Sequence, residues 1–553
     1  MLLRQWAKQS GRFVAVCRRH ASVTNAHSVA FASTSTRTTS ATSLPSRLVL
    51  ALGGSLLGAA GYYIGTISTG HHADATAGKK PVYGTPGDFA RAIKELKAAF
   101  PLDDVVTTDP DDLSAHGISP NTWHPGNPHT VVVYPTSTEE VVKVVKIANK
   151  YRMPVIPYSG GTALEGHFLG REDGGICVDV SRMDKIIEIH EADSDLVCQP
   201  GVGWMEVNET LKDKGIPLFF PIDPGPTATI GGMLSTGCSG TNAVRYGTAK
   251  GEWFLNATIV LPSGEVIKTR KRSRKSSAGF DVTKLFIGAE GTLGIVTEVT
   301  IRLAPLLPTT VATVQFPNVR KATEAVIDIL TTGVGIQCVE LTDAKFMHAT
   351  NIYGSSNRQY EVADHLFFKL QGPSEISLKE SARIVKEVAA KHGGTRWTLA
   401  KDADEANTMW TDRKNALYSG LAYGGEGAKA WSTDVCVPIS QLPELVYATQ
   451  KDIEQSGIKY TIVGHVGDGN FHALLLFKTD EELNTVRHLV HRMVERAIAL
   501  DGTCTGEHGV GVGKKEFLKN ELGEGTVRLM KTIKQAIDPL GLFNPGKVCA
   551  SMT

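Results

Sequence analysis

The spacing of apolar residues between positions 80 and 303 alternates between helical and extended patterns. Residues 88–100 and 138–151 carry apolar side chains at helical intervals, and Ser137 or Thr138 suits the start of the second helix. Short β-rich runs, separated by turn residues, predict strands at 129–134, 155–158, 175–180, 185–190, 196–199 and 292–303. The sequence therefore predicts an α+β arrangement built from many short strands.

The hydrophobic pattern changes after Pro305, Pro308 and Pro317. Beyond these prolines the pattern predicts helices at 322–330 and 378–392 and strands at 338–341 and 365–370, which indicates a second α+β domain. A last helical pattern covers residues 524–537. We therefore expect a first domain over 80–306, a second over 307–523, and a helix and tail over 524–553 that return to the first domain.

The N-terminal region differs from the rest of the chain. Residues 1–73 contain no Asp or Glu, and their basic residues lie among Ser, Thr and Ala: Arg4, Lys8, Arg12, Arg18, Arg19, Arg37 and Arg47. This composition is typical of a mitochondrial presequence, predicted over 1–47, with a disordered basic tail as the alternative.

Residues 48–67 are an uncharged apolar run, and about 20 apolar residues are needed to cross a bilayer. Arg47 precedes the run, so the positive side would lie in the matrix and the catalytic body would face the intermembrane space. The run predicts an inner-membrane anchor, and a removable sorting segment is the alternative.

The remaining composition is that of an ordinary globular protein. The 553 residues are 42% hydrophobic and 21% charged, and the formal net charge of +1 gives no indication of a nucleic-acid partner. The eight cysteines are scattered without a CxxC pair, which predicts buried free thiols rather than a disulfide framework or a zinc ribbon.

Four glycine-rich segments lie between residues 157 and 295, at 157–166, 199–202, 223–247 and 288–295. Backbone N–H groups and hydroxyls over residues 159–162 suit a pyrophosphate. None of the segments has the spacing GxGxxG after a strand, so a nicotinamide site of the Rossmann type is not predicted.

In this order the segments resemble the FAD-binding domain of the vanillyl-alcohol oxidase/p-cresol methylhydroxylase family, over about residues 128–304. The resemblance implies a two-subdomain FAD-binding domain, followed by an α+β substrate domain with an antiparallel sheet. Members with covalent flavin carry a histidine where this chain has Thr162, which implies non-covalent FAD and a structural role for His167. The residues that the resemblance assigns to FAD are Ser159, Gly160, Gly161, Thr162, Pro224, Thr229, Gly232, Ser239, Asn242, Tyr246, Glu290, Ile295 and Asn544.

Two short segments near the C-terminus combine histidine, carboxylate and glycine. They run from His465 to His472 and from Glu507 through His508 to Gly511. Two imidazoles and a carboxylate hold a divalent cation and leave a position open for substrate. Because an isolated histidine pair is more often structural, the spacing alone is only a weak indication of a metal site.

These two segments, with 410–413, 429–438 and 544–547, resemble the C-terminal domain of FAD-linked 2-hydroxyacid dehydrogenases. The resemblance covers nearly all of residues 80–550. It implies Zn²⁺ or Mn²⁺ bound by His465, His472 and Glu507, with His508 as the general base that takes the hydroxyl proton. Hydride would pass to flavin N5, D-lactate would become pyruvate, and cytochrome c would accept the electrons.

Arg413 and Lys429 are the candidates for binding the substrate carboxylate, because an arginine fork matches two carboxylate oxygens and a lysine provides a point charge. Alternatively, Arg413 lies with Asp412 on a solvated helix face, Lys429 is a surface residue, and His508 only orients Glu507. Asp468 and Asn470 are expected to be turn formers rather than site groups.

Four other functions stay open on the sequence. A D-2-hydroxyglutarate dehydrogenase with another acceptor would need further basic groups for a distal carboxylate. An oxidase that uses O₂ fits the mitochondrial signals poorly. A flavin-containing transferase resembling alkylglycerone-phosphate synthase would share the flavin fold, but it would not need the set of His465, His472 and Glu507. A non-catalytic binding module would need neither a flavin site nor that set.

Overall fold

The computed structural model describes residues 81–549. The predicted presequence and the apolar run at 48–67 lie outside the described residues. Among residues 81–549, no helix combines the length and the apolar character that crossing a membrane requires.

Helices and strands alternate along the described chain. The helices are α1 (Pro86–Ala99), α2 (Pro110–Gly117), α3 (Thr138–Tyr151), α4 (Trp204–Asp213), α5 (Ile230–Thr236), α6 (Ala243–Tyr246), α7 (Val282–Phe286), α8 (Val319–Thr331), α9 (Ala344–Tyr353), α10 (Glu375–Lys391), α11 (Ala403–Lys414), α12 (Ala416–Gly424), α13 (Leu442–Ser456), α14 (Asp480–Ala499) and α15 (Leu518–Ile537). The strands are β1 (Val106–Thr107), β2 (Val131–Val133), β3 (Val155–Tyr158), β4 (Ile176–Asp179), β5 (Ile186–His190), β6 (Asp195–Cys198), β7 (Leu218–Phe219), β8 (Phe254–Val260), β9 (Val266–Lys268), β10 (Ile295–Arg302), β11 (Ala304–Pro305), β12 (Thr309–Phe316), β13 (Ile336–Thr342), β14 (Asp364–Gln371), β15 (Thr395–Leu399), β16 (Lys429–Ser432), β17 (Val435–Cys436), β18 (Lys459–Gly464) and β19 (Asn470–Phe477).

The first sheet has the order β1-β2-β4-β3, with β2, β4 and β3 parallel and β1 antiparallel at the edge. Strands β2 and β4 are buried along their whole length, as is typical of parallel strands covered on both faces. Helix α3 begins at Ser137, whose hydroxyl accepts the backbone N–H of Glu140. The chain returns after α15, and the backbone of Leu542 and Asn544 bonds to Val155 of β3.

The second sheet is antiparallel, with the order β5-β6-β10-β8-β9. Its central strands β8 and β10 pack with α4 and α5 in one apolar core, which includes Val207, Leu211, Ile230 and Val299. These two sheets carry the glycine-rich segments, which form the connections between their strands and helices.

The third sheet contains eight strands and is antiparallel throughout, with the order β15-β12-β14-β13-β18-β19-β16 and β17 paired to β19. Helices α8, α10, α13 and α14 supply apolar residues to the large core on one face. A smaller core includes Phe346, Met409 and Trp410. The antiparallel sheets of this mixed α/β chain confirm the predicted α+β class.

Polar contacts, one buried and two partly buried, join the third sheet to the first half of the chain. The side-chain oxygen of Asn242 accepts from Gln337 Nε2 at 2.9 Å, and the hydroxyl of Tyr246 donates to Gln371 at 2.9 Å. Lys414 Nζ donates to Asp223 at 3.0 Å. Because an unpaired buried polar group is costly, these contacts fix how β13, β14 and α11 lie against the glycine-rich segments.

One buried carboxyl makes the stability of the third sheet depend on pH. Asp343 follows β13, caps α9 through the N–H of Phe346, and also accepts the N–H of Ile462. Burial raises the pKa of Asp343 to about 7. The folded chain therefore holds a proton there that the unfolded chain releases, so stability falls as pH rises from about 4 towards 7.

Asp343→Asn should remove this dependence, because an amide resembles the protonated carboxyl at every pH. Between about pH 5 and about pH 7, the free energy of unfolding of the wild type should fall relative to the variant by up to ~1.4 kcal/mol per pH unit. Denaturation midpoints of both proteins across this range measure the difference. Parallel curves would show that Asp343 has an ordinary pKa.

Candidate functional site

The hairpin of β18 and β19 brings His465 and His472 together. His465 directly follows β18, and His472 lies in β19 opposite Val463. Their ring centroids lie 5.3 Å apart, with the ring planes at 80°. Both residues are buried. The apolar strands of the hairpin thus carry two imidazoles to one side of the third sheet.

Glu507 completes this group from the loop between α14 and α15. Its Oε1 lies 3.1 Å from His465 Nε2 and 3.2 Å from His472 Nε2. The three ligand atoms lie within 4.8 Å of one another. We call His465, His472 and Glu507 the ligand trio.

The hydrogen bonds behind the two rings decide which nitrogens face Glu507. His465 Nδ1 lies 2.9 Å from Glu340, and His472 Nδ1 lies 2.8 Å from the carbonyl oxygen of Thr433. Each Nδ1 therefore donates its proton outward, and each ring directs Nε2 towards a carboxylate oxygen, as an N–H when the ring is protonated and as a lone pair when it is neutral. With both rings neutral, two lone pairs and an anionic oxygen repel one another unless a cation lies between them. The trio therefore fits a divalent metal ion.

Charges within the trio oppose the effect of burial. Burial by itself would lower the pKa of His465, but the carboxylates of Glu340 and Glu507 outweigh it and raise that pKa well above the usual value. Burial would raise the pKa of Glu507, but His465 and His472 lower it well below the usual value. Each group thus stabilises the charged form of its neighbour, and a positive charge is favoured beside Glu507.

Asp434 shapes the loop that carries Glu507 and His508. One of its oxygens accepts both of their backbone N–H groups, each at 2.8 Å, and the hydroxyl of Thr505 at 2.8 Å. Its other oxygen accepts the amide of Asn470 at 2.8 Å. Burial would raise the pKa of Asp434, but His508, His472 and these hydrogen bonds lower it to about 2. An ionised, buried carboxylate therefore holds the loop against β19.

His508 lies beside the trio. Its ring stacks on that of His472, with centroids 5.0 Å apart and ring planes at 10°. Its Nδ1 is buried and has no hydrogen-bond partner within the part of the chain that the structure describes. Burial lowers the pKa of His508, against the opposing charge of Asp434. A neutral imidazole with a free nitrogen next to the trio has the properties of a general base.

Arg413 lies behind His465 rather than on a solvated face. Arg413 and Asp412 are both buried, and Arg413 Nη2 donates to Glu340. Its Nε is buried without a hydrogen-bond partner among residues 81–549. Part of the guanidinium is therefore engaged by the protein and part of it has no partner.

Lys429 is not brought to the trio. It is the first residue of β16, is exposed, and pairs with Phe477. The opposite end of β16 leads to Thr433 and Asp434, which contact the trio and its loop. The structure therefore disagrees with the predicted carboxylate contact of Lys429 and agrees with a surface position. Asp468 is exposed in a turn, as expected, but Asn470 is buried and supports Asp434.

The loop at 159–162 and the segment that leads into α5 come together in the first half of the chain. Ser159 Oγ lies 2.7 Å from Thr229 Oγ1. A Cβ on Gly231 would lie 2.4 Å from the side chain of Pro200, so only glycine allows the segment at 199–202 to lie so close. Half-buried backbone lines this junction, at Gly160, Gly161, Thr162, Pro224 and Gly232. Converging glycine-rich backbone of this kind fits a pyrophosphate.

Other residues assigned to FAD have protein partners in this structure. The amide of Asn242 donates to the carbonyl oxygen of Pro221, and that of Asn544 donates to the carbonyl oxygens of His167 and Glu290. The carboxylate of Glu290 accepts the N–H groups of Val510 at 2.6 Å and Gly511 at 2.8 Å. Ser239 and Ile295 are buried. Glu290 and Asn544 thus attach the loop after His508 and the C-terminal segment to the first domain.

Glu340 and Asp434 are the site residues that the sequence did not reveal. Glu340 is the one charged residue within the apolar strand β13, and a lone buried acid in a strand is a usable signal of a buried partner. Asp434 follows β16 in the segment Ser432-Thr-Asp434, and its role depends on a loop more than 70 residues further along the chain.

Two family models match the chain. Residues 129–270 match the FAD binding domain, and residues 308–548 match the C-terminal domain of FAD linked oxidases. Among solved structures, 4-ethylphenol oxidase from Gulosibacter chungangensis superposes with a TM-score of 0.70 at 20% identity, covering 86% of this chain and 99% of that one. An alkyldihydroxyacetonephosphate synthase superposes with a TM-score of 0.64 at 19% identity, covering 85% and 88%. These two likenesses show the fold alone.

Curated relatives are more similar in sequence. Mitochondrial D-lactate dehydrogenase (cytochrome) of Arabidopsis thaliana is 42% identical over 468 residues, which cover 84% of this chain and 81% of the relative. Mitochondrial D-lactate dehydrogenase (cytochrome) 1 of Saccharomyces cerevisiae is 44% identical over 448 residues, covering 79% and 76%. These matches confirm the resemblance found in the sequence: the chain belongs to the family of FAD-linked oxidases that includes the mitochondrial D-lactate dehydrogenases (cytochrome).

Proposed function

We propose that this chain is a mitochondrial, FAD-dependent dehydrogenase that oxidises D-lactate to pyruvate and passes the electrons to cytochrome c. The observation that carries the proposal is the convergence of His465 Nε2, His472 Nε2 and Glu507 Oε1 beside the free ring nitrogen of His508. The names of the relatives support the substrate, the acceptor and the compartment. Anchoring by residues 48–67 in the inner membrane, with the body facing the intermembrane space, is part of the proposal.

The ligand trio would hold Zn²⁺ or Mn²⁺, and the glycine-rich junction around residues 159–162 would hold FAD without a covalent bond. When bound, the metal supplies a Lewis acid for the substrate hydroxyl, and the flavin supplies the hydride acceptor. The roles of the chain's own residues follow from their positions around the trio.

His508 would take the hydroxyl proton of the substrate. Burial and stacking on His472 keep the ring in place, and Asp434 fixes its backbone N–H. The lowered pKa of His508 favours the neutral ring, which is the form that accepts a proton. A base within hydrogen-bond reach of the hydroxyl is required for the Cα–H bond to break as a hydride.

Arg413 would bind the substrate carboxylate with the part of its guanidinium that Glu340 does not engage. A buried guanidinium next to the trio suits a 2-hydroxy acid, whose hydroxyl and carboxylate are adjacent. D-2-hydroxyglutarate carries a second carboxylate and would need a second cation. Lys429 is exposed at the far end of β16 and does not provide that cation. The names of the relatives favour the short substrate.

The transferase alternative is less well supported. The likeness to alkyldihydroxyacetonephosphate synthase rests on the fold, at 19% identity. The ligand trio and His508 together favour proton abstraction from a 2-hydroxy acid, and the curated relatives with the higher identity are dehydrogenases by name.

D-Lactate should bleach the flavin of the purified protein under anaerobic stopped-flow mixing, and D-2-hydroxyglutarate should do so at least about tenfold more slowly at equal concentration, because a site built for the shorter acid does not match its second carboxylate. L-Lactate serves as the stereochemical control. Faster bleaching by D-2-hydroxyglutarate would transfer the substrate assignment to the longer acid.

His472→Ala should remove the bound metal and most of the turnover, because two ligands hold a divalent cation far less firmly than three. Elemental analysis of the dialysed protein measures the metal, and flavin absorbance checks that FAD is retained. His491→Ala, a substitution of an exposed histidine on α14, is the matched control and should keep both metal and turnover. Full metal content in His472→Ala would contradict the ligand assignment.

His508→Gln should slow flavin reduction by D-lactate about 10²- to 10⁴-fold, the usual contribution of a general base, while the metal content stays near that of the wild type. Stopped-flow flavin absorbance gives the rate, and elemental analysis gives the metal. If the variant loses its metal but reduces the flavin at the wild-type rate once metal is restored, His508 is not the general base. Its role would then be only to orient Glu507.

A further inference from the structure

Glu340 lies within β13, whose other residues are uncharged. Its side chain is fully buried, at 0% exposure, on the opposite face of the strand from Val339 and Leu341. Burial of a carboxylate without partners is costly, so its charge must be balanced by nearby donors. The position therefore needs specific partners, and the partners define what Glu340 does.

Two of those partners belong to the site. Both oxygens of Glu340 lie 2.9 Å from His465 Nδ1. One of the same oxygens also accepts Arg413 Nη2. A single carboxylate thus contacts both a residue of the ligand trio and the candidate substrate-binding arginine. His465 directly follows β18, and Arg413 lies in α11.

These contacts orient both side chains. By accepting the Nδ1 proton of His465, Glu340 turns Nε2 and its lone pair towards Glu507. By binding Nη2 of Arg413, it fixes the plane of the guanidinium and leaves Nε unengaged. Because one carboxylate makes both contacts, the direction of the metal ligand and the direction of the arginine are fixed relative to each other.

We propose that Glu340 is a positioning residue that couples metal binding by His465 to carboxylate binding by Arg413. This inference rests on the proposed function, since it requires the ligand trio to bind a metal and Arg413 to bind substrate. Loss of the carboxylate then weakens two affinities at once, for the divalent cation and for D-lactate. A residue that only supports the sheet would change neither affinity in the folded protein.

The test uses Glu340→Gln in the full-length flavoprotein. An amide is neutral, and because both carboxylate oxygens lie 2.9 Å from His465 Nδ1, either orientation of the amide sets a donating nitrogen against that N–H. After chelation and dialysis, Mn²⁺ is titrated back and followed by electron paramagnetic resonance. The affinity for Mn²⁺ should fall about 10- to 100-fold, the usual effect of removing a carboxylate behind a metal-bound histidine.

Steady-state kinetics at saturating Mn²⁺ separate the two effects. With the metal site filled, kcat for D-lactate should recover towards the wild-type value, while KM stays raised about tenfold because Arg413 has lost the ionised partner that orients it. The matched control is Asp343→Asn, a buried acid three positions along the chain that contacts neither His465 nor Arg413. It should show wild-type values for Mn²⁺ affinity and for KM.

The outcomes separate this inference from the proposed function. Wild-type Mn²⁺ affinity and KM in Glu340→Gln would overturn the coupling and leave the metal site intact. If the wild-type protein itself binds no Mn²⁺ or Zn²⁺, the proposed metal site fails and the coupling fails with it. Should Glu340→Gln not fold, Glu340→Asp keeps the charge but shortens its reach. A loss of both affinities in Glu340→Asp supports the coupling, and a loss of only one, or wild-type values for both, overturns it.

Discussion

Buried carboxylates constrain the whole arrangement of this site. Glu340, Asp434 and Glu290 are each almost completely removed from solvent, and each accepts hydrogen bonds from segments distant in the chain. An unsatisfied buried charge costs several kcal/mol, which is comparable to the whole free energy of unfolding of a domain. The folded chain must therefore place hydrogen-bond donors at these carboxylates. The positions of His465, the 507–508 loop and Val510 all follow from this requirement.

A second constraint on the site is the close approach of two backbone segments, at Gly511 and Glu165. The loop after His508 passes directly against the first domain, where a Cβ at Gly511 would lie 2.0 Å from the carbonyl oxygen of Glu165. Glycine alone permits that distance, and the positive φ of 49° at this residue favours glycine as well. The glycines beside the histidine motif therefore allow this loop to pack against Glu165 as well as to turn.

The sequence predicted a large share of this structure from local patterns. The helical spacing at 88–100 and 138–151 corresponds to α1 and α3, and the run at 292–303 corresponds to β10. The glycine-rich segments and the histidine motif carried the family resemblance, and the ligand trio was named from it. The sequence did not show that Lys429 begins β16 at the end away from the trio, or that Asn470 is buried against Asp434, because both depend on how distant segments pair. The spacing of apolar residues along the chain does not contain that information.

By itself, then, the sequence determined the α+β class, the residue types available for chemistry and the order of the glycine-rich segments, because these follow from local spacing and composition. Only the tertiary structure decided the partners. It paired Glu340 with His465 and Arg413, placed Asp434 against the backbone N–H groups of Glu507 and His508, and set the amide of Asn242 against Gln337 and that of Asn544 against Glu290. These contacts join residues far apart in the chain, and they form because buried charges and amides must find partners once water is excluded.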